Sequence, residues 1–235
     1  MEKKDIKLTL CLNGIEFERL EKKGILQKFS SFYKKGKIEF AGAAYSDFII
    51  SYGFDDLNYE SAKLTKGIFE RARLIPRTVF IGKFYNEKLI NDLKILGYSM
   101  FLIDSNSLPD ITLYQPALYR GVFLLPYIMG RDISEVLFML NKRVENPVVV
   151  VLFDSIEGIE EAIWKYSLRD FLLPTDLLNR RLFYTEIQNI GENLYEMEDV
   201  FLDIFKDEIF YFKDKLSRNF FELLDLNFLS SREKR

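Results

Sequence analysis

The sequence predicts an α/β protein in which a parallel sheet is connected by crossover helices. Short runs rich in β-branched and aromatic residues alternate along the chain with stretches of helical periodicity. Residues 148–153 are continuously apolar, which is typical of a parallel strand covered on both faces. With 235 residues, 48% of them hydrophobic, the chain is long enough to bury one sizeable core.

Short runs of the sequence are predicted to form β-strands. Each is short, apolar and bounded by turn-forming or charged residues. Six strands are predicted at residues 6–12, 37–41, 78–82, 99–103, 121–125 and 147–153. A seventh strand is predicted near residues 181–187.

Helices are predicted between the strands at residues 60–73, 86–96, 132–141 and 155–166. In the first two, apolar residues recur three and four positions apart, as on one face of a helix. Gly97 follows the second helix in the position of a C-terminal capping glycine. Asp132 and Ser155 are capping-type residues that open the last two helices.

The last 45 residues have a different character, so we predict a domain at 1–190 and a helical extension at 191–235. Two interpretations of the extension stay open: it packs on the preceding domain, or its leftover aromatic residues Phe210, Tyr211 and Phe221 form a homo-oligomer interface. Its apolar residues recur at helical spacing: Met197, Phe201, Ile204, Phe205, Ile209, Phe212, Leu216, Phe220 and Leu223.

Composition excludes several classes of chemistry. The chain has no His and one Cys, Cys11, so it contains no intramolecular disulfide, Cys-based zinc site, Ser-His-Asp triad, Cys-His pair or HExxH motif. It also lacks GxGxxG and GxxxxGKS motifs, and we expect neither a cofactor nor a metal. Asp, Glu, Lys, Tyr and backbone amides remain as reactive or binding groups.

Net charge and hydropathy indicate which partners and which cellular location to expect for this protein. The net charge is −3 and no basic stripe is expected, so nucleic acid is not an expected partner. The first apolar run is too short for a signal peptide or a membrane span, which predicts a cytoplasmic protein with no membrane partner. The high Lys, Glu and Ile content is typical of a thermophile.

Polar residues that follow the predicted strands are the candidate site residues, since sites of parallel α/β proteins lie at the carboxyl ends of strands. Three of these residues are aspartates, and glycoside hydrolysis needs one pair of carboxylates. The candidates are Glu16, Tyr45, Asp47, Lys83, Tyr85, Asp104, Asp154 and Glu157.

Each candidate also has a structural interpretation. Asp154 and Glu157 match a capping-box opening of the helix at 155–166, and capping and function both stay open for Asp154. Asp47 and Asp104 are likewise residue types that cap helices. Lys83 is either a Schiff-base or anion-binding lysine or a solvated charge.

The order of these segments resembles the catalytic barrel of glycoside hydrolase family 57, the α-amylase and 4-α-glucanotransferase family. Residues 10–20 (LCLNGIEFERL) and 38–48 (IEFAGAAYSDF) occupy the places of two His-containing family segments, with Asp47 at one His position. Residues 76–89 (PRTVFIGKFYNEKL) resemble the nucleophile segment, with Gly82 and Lys83 at the nucleophile's place. Residues 124–135 (LLPYIMGRDISE) and 151–158 (VLFDSIEG) resemble later segments.

The resemblance implies an incomplete, seven-stranded (β/α) barrel with a C-terminal helical extension, in which Asp154 is the acid/base. A lysine at the nucleophile position would disfavour an oxocarbenium-like transition state and keep Asp154 ionised. We therefore expect a pseudoenzyme with a Lys83–Asp154 ion pair that binds an α-glucan or other oligosaccharide, or is regulatory.

Two alternatives to the pseudoenzyme stay open. One is an active glycoside hydrolase or glucanotransferase that uses Asp154 with Asp104 or Asp47. The other is a structural subunit that acts through its C-terminal helices.

Overall fold

A computed structural model of the chain describes residues 5–45, 55–82, 85–105, 108, 115–140, 148–153, 155–168, 170–178 and 184–190. The strands are β1 (Leu8–Cys11), β2 (Ile38–Gly42), β3 (Thr78–Gly82), β4 (Met100–Asp104), β5 (Ala117–Tyr119), β6 (Val122–Met129), β7 (Val150–Leu152) and β8 (Thr185–Glu186). The helices are α1 (Gly14–Lys22), α2 (Ile25–Lys34), α3 (Asp55–Arg71), α4 (Glu87–Ile95), α5 (Ile133–Leu140), α6 (Ile156–Lys165) and α7 (Pro174–Leu177).

One sheet contains all of these strands. Its order is β1-β2-β3-β4-β6, and all of these neighbours are parallel. Strand β6 then has two partners on its other edge: its first half forms an antiparallel hairpin with β5, and its last three residues pair in parallel with β7. Strand β8 adds in parallel to β5. Within the described ranges, no ladder joins β1 to β7.

The predicted α/β class and parallel sheet are confirmed, and a strand lies in each of the seven predicted places. The described sheet has eight strands, and the one that was not predicted is β5. Arg120 and Gly121, with φ of 48° and 80°, form the tight turn that connects β5 to β6. Helices α1 and α2, between β1 and β2, were also not predicted. The C-terminal extension at 191–235 lies outside the described residues.

The prediction that residues 148–153 are buried on both faces was wrong. Strand β7 has only three residues, and all three are half-buried. The physical reason is its position: among the described residues it pairs on one side only, with β6. An unbroken apolar run therefore does not distinguish a central strand from a short one at the end of the ladder.

The ends of two helices test the predicted capping residues. Gly97 ends the α4 segment in the left-handed region, with φ of 89°, and its N–H donates to the Lys94 carbonyl over 2.8 Å, as predicted. For α6 the N-cap is Ser155, whose Oγ accepts from the Gly158 N–H over 3.1 Å. The capping-box interpretation of Asp154 was therefore wrong, because the N3 position belongs to Gly158 and not to Glu157.

The two faces of the sheet are covered differently, because side chains alternate along each strand. The outer face is covered by helices and carries two large clusters, one around Phe17, Phe40 and Phe69 and the other around Tyr98 and Phe101. The inner face carries its own apolar cluster: Ala41, Met100, Leu102, Leu125, Tyr127 and Leu177, with Cys11, Phe80, Met129, Val150 and Leu152 packed against it.

A polar network closes the amino-end side of the inner face. Glu39, on β2, is 5% exposed, and its carboxylate accepts from the Thr78 hydroxyl on β3. Its second oxygen accepts from the Thr175 N–H over 3.1 Å and the Thr175 hydroxyl over 2.7 Å, which brings α7 under the strands. Lys7 adds a 2.7 Å ion pair to Asp176 of the same helix. The network thus joins β1, β2, β3 and α7.

Replacement of Glu39 by Ala is expected to lower the free energy of unfolding by about 2 kcal/mol, because buried hydrogen-bonding groups lose a charged partner. The matched control is Glu60→Ala on α3. Its partly exposed carboxylate pairs with Lys63 one turn away, and its loss is expected to cost less than about 0.5 kcal/mol. Urea denaturation measures both. Equal losses would contradict a special role for Glu39.

Replacement of Ser155 by Ala is expected to lower the free energy of unfolding by about 1 kcal/mol, because the first turn of α6 loses its cap. Asp154→Asn is expected to cost less, since Ser155 already holds the Gly158 N–H. Thermal unfolding of the two variants compares them. If Asp154→Asn were less stable than Ser155→Ala, Asp154 rather than Ser155 would be the N-cap of α6.

Candidate functional site

The candidate site lies where the parallel strands end, because their carboxyl ends meet at one edge of the sheet. Three of the predicted site residues, Asp47, Lys83 and Asp154, lie outside the described residues, and so does the expected Lys83–Asp154 ion pair. The structure describes the other five: Glu16, Tyr45, Tyr85, Asp104 and Glu157.

Asp104 is the last residue of β4 and belongs to the inner face. Met100 and Leu102 on the same strand lie in the inner apolar cluster, so alternation directs Asp104 to that side as well. Across the ladder Asp104 is in register with Tyr127 of β6. Asp104 is half-buried, whereas Tyr127 is only 7% exposed.

The phenol of Tyr127 stays protonated. Burial, then the negative charge of Asp104 and then Cys11 raise its pKa well above the ordinary value of 10.0. A neutral phenol beside a carboxylate provides one hydrogen-bond donor and several acceptors at a single point. Phe80 of β3 packs against Tyr127, with ring centroids 5.3 Å apart.

Cys11, the last residue of β1, reaches the same region. Burial first, then the charges of Glu16 and Glu39, together raise the pKa of its thiol from 9.0 to about 12. The thiol is therefore protonated at neutral pH and is a small apolar group there, not a nucleophile. We call Cys11, Phe80, Asp104 and Tyr127 the inner-face site.

Three members of this site, Cys11, Phe80 and Tyr127, are not among the predicted site residues. The predicted candidates follow the strands, whereas these three lie within strands and point inward. Cys11 is the last residue of β1, and Tyr127 lies two residues before the end of β6. The alternation of each strand was the available signal, since an inward residue near a carboxyl end borders the site.

Tyr45 and Tyr85, two of the predicted site residues, lie in the outer apolar layer. Tyr45 is 0% exposed, and its hydroxyl donates to Glu18 of α1 over 3.0 Å. It also leaves no room for a side chain at position 14, since a Cβ on Gly14 would be 2.3 Å from the Tyr45 ring. Tyr85 is equally buried, and its hydroxyl donates to the Ile190 carbonyl over 3.0 Å. These rings hold secondary-structure elements together.

The two predicted glutamates lie in the first turns of helices. Glu16 forms a capping box with Asn13: its backbone N–H donates to the Asn13 side chain over 2.7 Å, and its carboxylate accepts from the Asn13 N–H over 3.0 Å. Its charge still acts on Cys11, which places it beside the inner-face site. Glu157 is exposed in the first turn of α6, after β7.

Two searches of the described ranges had negative results. Among these residues, no group of three Cys, Asp or Glu side chains is arranged to hold a metal ion. In the same part of the chain, no helix is long and apolar enough to cross a membrane.

Cys11 provides a test of this electrostatic description. At pH 8 its alkylation by iodoacetamide in the folded protein is expected to be roughly a thousandfold slower than in urea, since the pKa of an unperturbed thiol is about 8.5. The free energy of unfolding should be unaffected by this thiol below about pH 8.5 and decrease as pH rises toward about 12, because only the unfolded state ionises there. Cys11→Ser gives the background, and folded and unfolded rates within tenfold would contradict the raised pKa.

Comparisons with known proteins give the fold but no sequence relative: no family model and no curated protein matches the chain. A 4-α-glucanotransferase structure from Thermococcus litoralis matches 89% of this chain and 40% of its own length, with 13% identity and a TM-score of 0.62. The structure of α-amylase AmyC from Thermotoga maritima matches 91% of this chain and 73% of its own length, with 11% identity and a TM-score of 0.63. A GH57-type branching enzyme from Pyrococcus horikoshii matches 77% of this chain and 52% of its own length, with 12% identity and a TM-score of 0.56. The chain therefore spans less than half of the glucanotransferase, and its fold is of the glycoside hydrolase family 57 type.

Proposed function

We propose that this protein binds an α-glucan or a related oligosaccharide at the inner-face site and does not hydrolyse it. The observation that carries the proposal is the pairing of Asp104 with Tyr127, a carboxylate beside a neutral phenol at the carboxyl edge of the sheet. Sugar hydroxyls donate and accept at once, so a fixed acceptor next to a fixed donor suits them. Phe80 adds an apolar wall next to this pair.

The ligand class is supported by the structural relatives. These relatives are a 4-α-glucanotransferase, an α-amylase and a branching enzyme. Parallel α/β proteins bind ligands at the carboxyl edge of the sheet, and Asp104 ends β4 at that edge. An α-glucan is thus the first ligand to test.

The absence of hydrolysis is proposed from the residues themselves. The chain has no histidine to orient a sugar or carry a proton, and the family resemblance puts Lys83 where a carboxylate nucleophile would stand. A cation there opposes the positive charge that develops on the sugar in the transition state. Cys11 offers no replacement nucleophile, because its thiol is protonated.

A second candidate function is an inverting glycoside hydrolase that uses Asp104 and Asp154. Two observations favour it. Ser155 caps α6, so capping does not account for Asp154. Strands β4 and β7 both border β6, so their backbones lie roughly 10 Å apart, at two strand spacings. An inverting pair needs carboxylates roughly 6.5–9.5 Å apart, which residues that follow two such strands can reach.

The test combines binding and turnover. Titration calorimetry with maltooligosaccharides is expected to show binding that weakens at least tenfold in Asp104→Asn, because a charged hydrogen-bond acceptor is lost. Glu60→Gln, on the outer helix α3, is the matched control and should bind as the unchanged protein does. In parallel, mass spectrometry follows chain lengths after incubation and is expected to show the starting ladder unchanged.

The outcomes separate the two candidates. New chain lengths that disappear in both Asp104→Asn and Asp154→Asn would establish the hydrolase and reject the binding protein. Equal binding by Asp104→Asn and the unchanged protein would show that the sugar does not bind at the inner-face site. No heat of binding with any oligosaccharide, together with an unchanged ladder, would reject both candidates.

A further inference from the structure

Three neighbouring strands begin side by side at the amino edge of the sheet, which is the edge opposite the inner-face site. The register pairs Thr78 of β3 with Met100 of β4, and Met100 with Phe123 of β6. The connections that lead into these strands are joined there: the Ser99 N–H donates to the Arg77 carbonyl over 2.9 Å, and the Phe123 N–H donates to the Ser99 carbonyl over 2.9 Å. Adjacent strands are about 5 Å apart, so the three connections lie along one row.

Two of these connections each expose an isoleucine. Ile75 is 66% exposed and Ile95 is 73% exposed. Ile75 stands between Leu74 and Pro76, which are both buried, so its own side chain is directed outward. Ile95 comes two residues after the buried Leu93 of α4, and two residues of a helix are about 200° apart around its axis. The packing of their neighbours therefore holds both isoleucines in solvent.

Basic residues flank both isoleucines. Arg73 and Arg77 each lie two residues from Ile75, and Lys94 directly precedes Ile95. All three basic residues are exposed, and residues 71–77 contain no acidic residue. We call these five residues the amino-edge patch.

The positive charge of the amino-edge patch is not neutralised by its surroundings. Within the described ranges, the three basic residues of the patch form no ion pair. Glu70, near the end of α3, pairs with Lys66 over 3.7 Å, and Glu87, at the start of α4, pairs with Arg120. These two carboxylates are thus already used, and the exposed cations of the patch attract anions from outside the molecule.

Arg73 occupies a backbone position that the chain gives to glycine at two comparable places. Its φ is 61°, in the left-handed region, and its N–H donates to the Glu70 carbonyl over 2.9 Å at the end of α3. The same C-terminal cap is formed by Gly36 after α2 and by Gly97 after α4. Any residue with a Cβ is strained in this conformation. An arginine at such a position therefore indicates a use of its side chain other than ending the helix.

We propose that the amino-edge patch binds the surface of an anionic phospholipid bilayer, with its basic side chains on the phosphate groups and its two isoleucines between the headgroups. Guanidinium groups match the geometry of phosphate, and basic residues beside exposed apolar side chains are typical of proteins that bind at the lipid interface. Peptide-binding sites, in contrast, receive the apolar side chains of the peptide in grooves, whereas both isoleucines here project outward. A bilayer therefore matches the patch better than an acidic peptide does.

This proposal is independent of the sugar-binding proposal, because the inner-face site lies at the carboxyl edge and stays accessible when the amino edge is bound. Neither a basic stripe nor a membrane partner was expected from the sequence. The patch consists of residues from two connections that are separate in the sequence, and only the strand register and the exposure of these residues bring them together.

Vesicle flotation of the full chain tests the proposal. The unchanged protein is expected to float with vesicles of equal parts phosphatidylcholine and phosphatidylglycerol, and not with vesicles of phosphatidylcholine alone. Because charges attract it to the surface, its apparent dissociation constant is expected to rise at least tenfold between about 0.02 and about 0.5 M NaCl.

Two variants address the two kinds of contact. The variant R73E/R77E/K94E is expected to weaken vesicle binding at least tenfold, because each basic residue near an anionic surface contributes to binding. The variant I75S/I95S keeps the charge and is also expected to weaken binding at least tenfold, because the apolar insertion is lost. The matched control K63E/K88E/R131E has the same charge change on other exposed residues and is expected to retain most of the binding. Circular dichroism checks that each variant is folded.

The variant R73G separates binding from stability. Glycine relieves the left-handed conformation, so this variant is expected to unfold at a higher temperature than the unchanged protein. It is nevertheless expected to bind anionic vesicles about fivefold more weakly, because one basic side chain is lost. A purely structural role of Arg73 predicts no such loss of binding.

Several results would overturn the proposal. One is the absence of binding to anionic vesicles at every salt concentration, and another is equal binding to neutral vesicles. Equal losses in the control and in R73E/R77E/K94E would show a general effect of net charge. Binding by R73G and I75S/I95S equal to that of the unchanged protein would place the lipid on another surface. Binding to poly-glutamate without binding to vesicles would assign the patch to an acidic protein partner instead.

Discussion

The buried carboxylate of Glu39 is the interaction on which the arrangement of the inner face depends. It lies at the amino end of the sheet and binds Thr78 on the next strand and Thr175 at the start of α7, 136 residues further along the chain. A buried carboxylate is costly unless each oxygen has partners, and Thr175 supplies two of them, which holds α7 against the strands. This packing closes the amino-end side of the inner face, and the candidate site lies at the opposite end.

This asymmetry accounts for the character of the candidate site. Apolar residues from successive strands fill the middle of the inner face, between the polar network of Glu39 at its amino end and Asp104 at its carboxyl end. At the carboxyl end, burial and then the charge of Asp104 raise the pKa of Tyr127, whereas burial and then the charges of Glu16 and Glu39 raise the pKa of Cys11. A carboxylate next to protonated, neutral groups is suited to hydrogen bonding with a neutral polar ligand. The proposed sugar site follows from this distribution of charge.

The outer layer of the sheet holds helices and connecting segments in place. Tyr45 and Tyr85 are buried there and fasten α1 and the segment ending at Ile190, while α2 stays half-buried and strongly basic. Packing in the outer layer therefore depends on different side chains from those of the inner-face site.

Local sequence signals determined the α/β class, the places of seven strands and the capping glycine at position 97, because periodicity and backbone preference act over a few neighbouring residues. The hairpin strand β5 and the two short helices after β1 lacked a strong signal of that kind. Ladder register and inward alternation decided that Tyr127 and Cys11 join Asp104, and that Tyr45 and Tyr85 do not. These are contacts between residues far apart in sequence. Only the tertiary structure could assign them, because strand pairing fixes which side chains face each other.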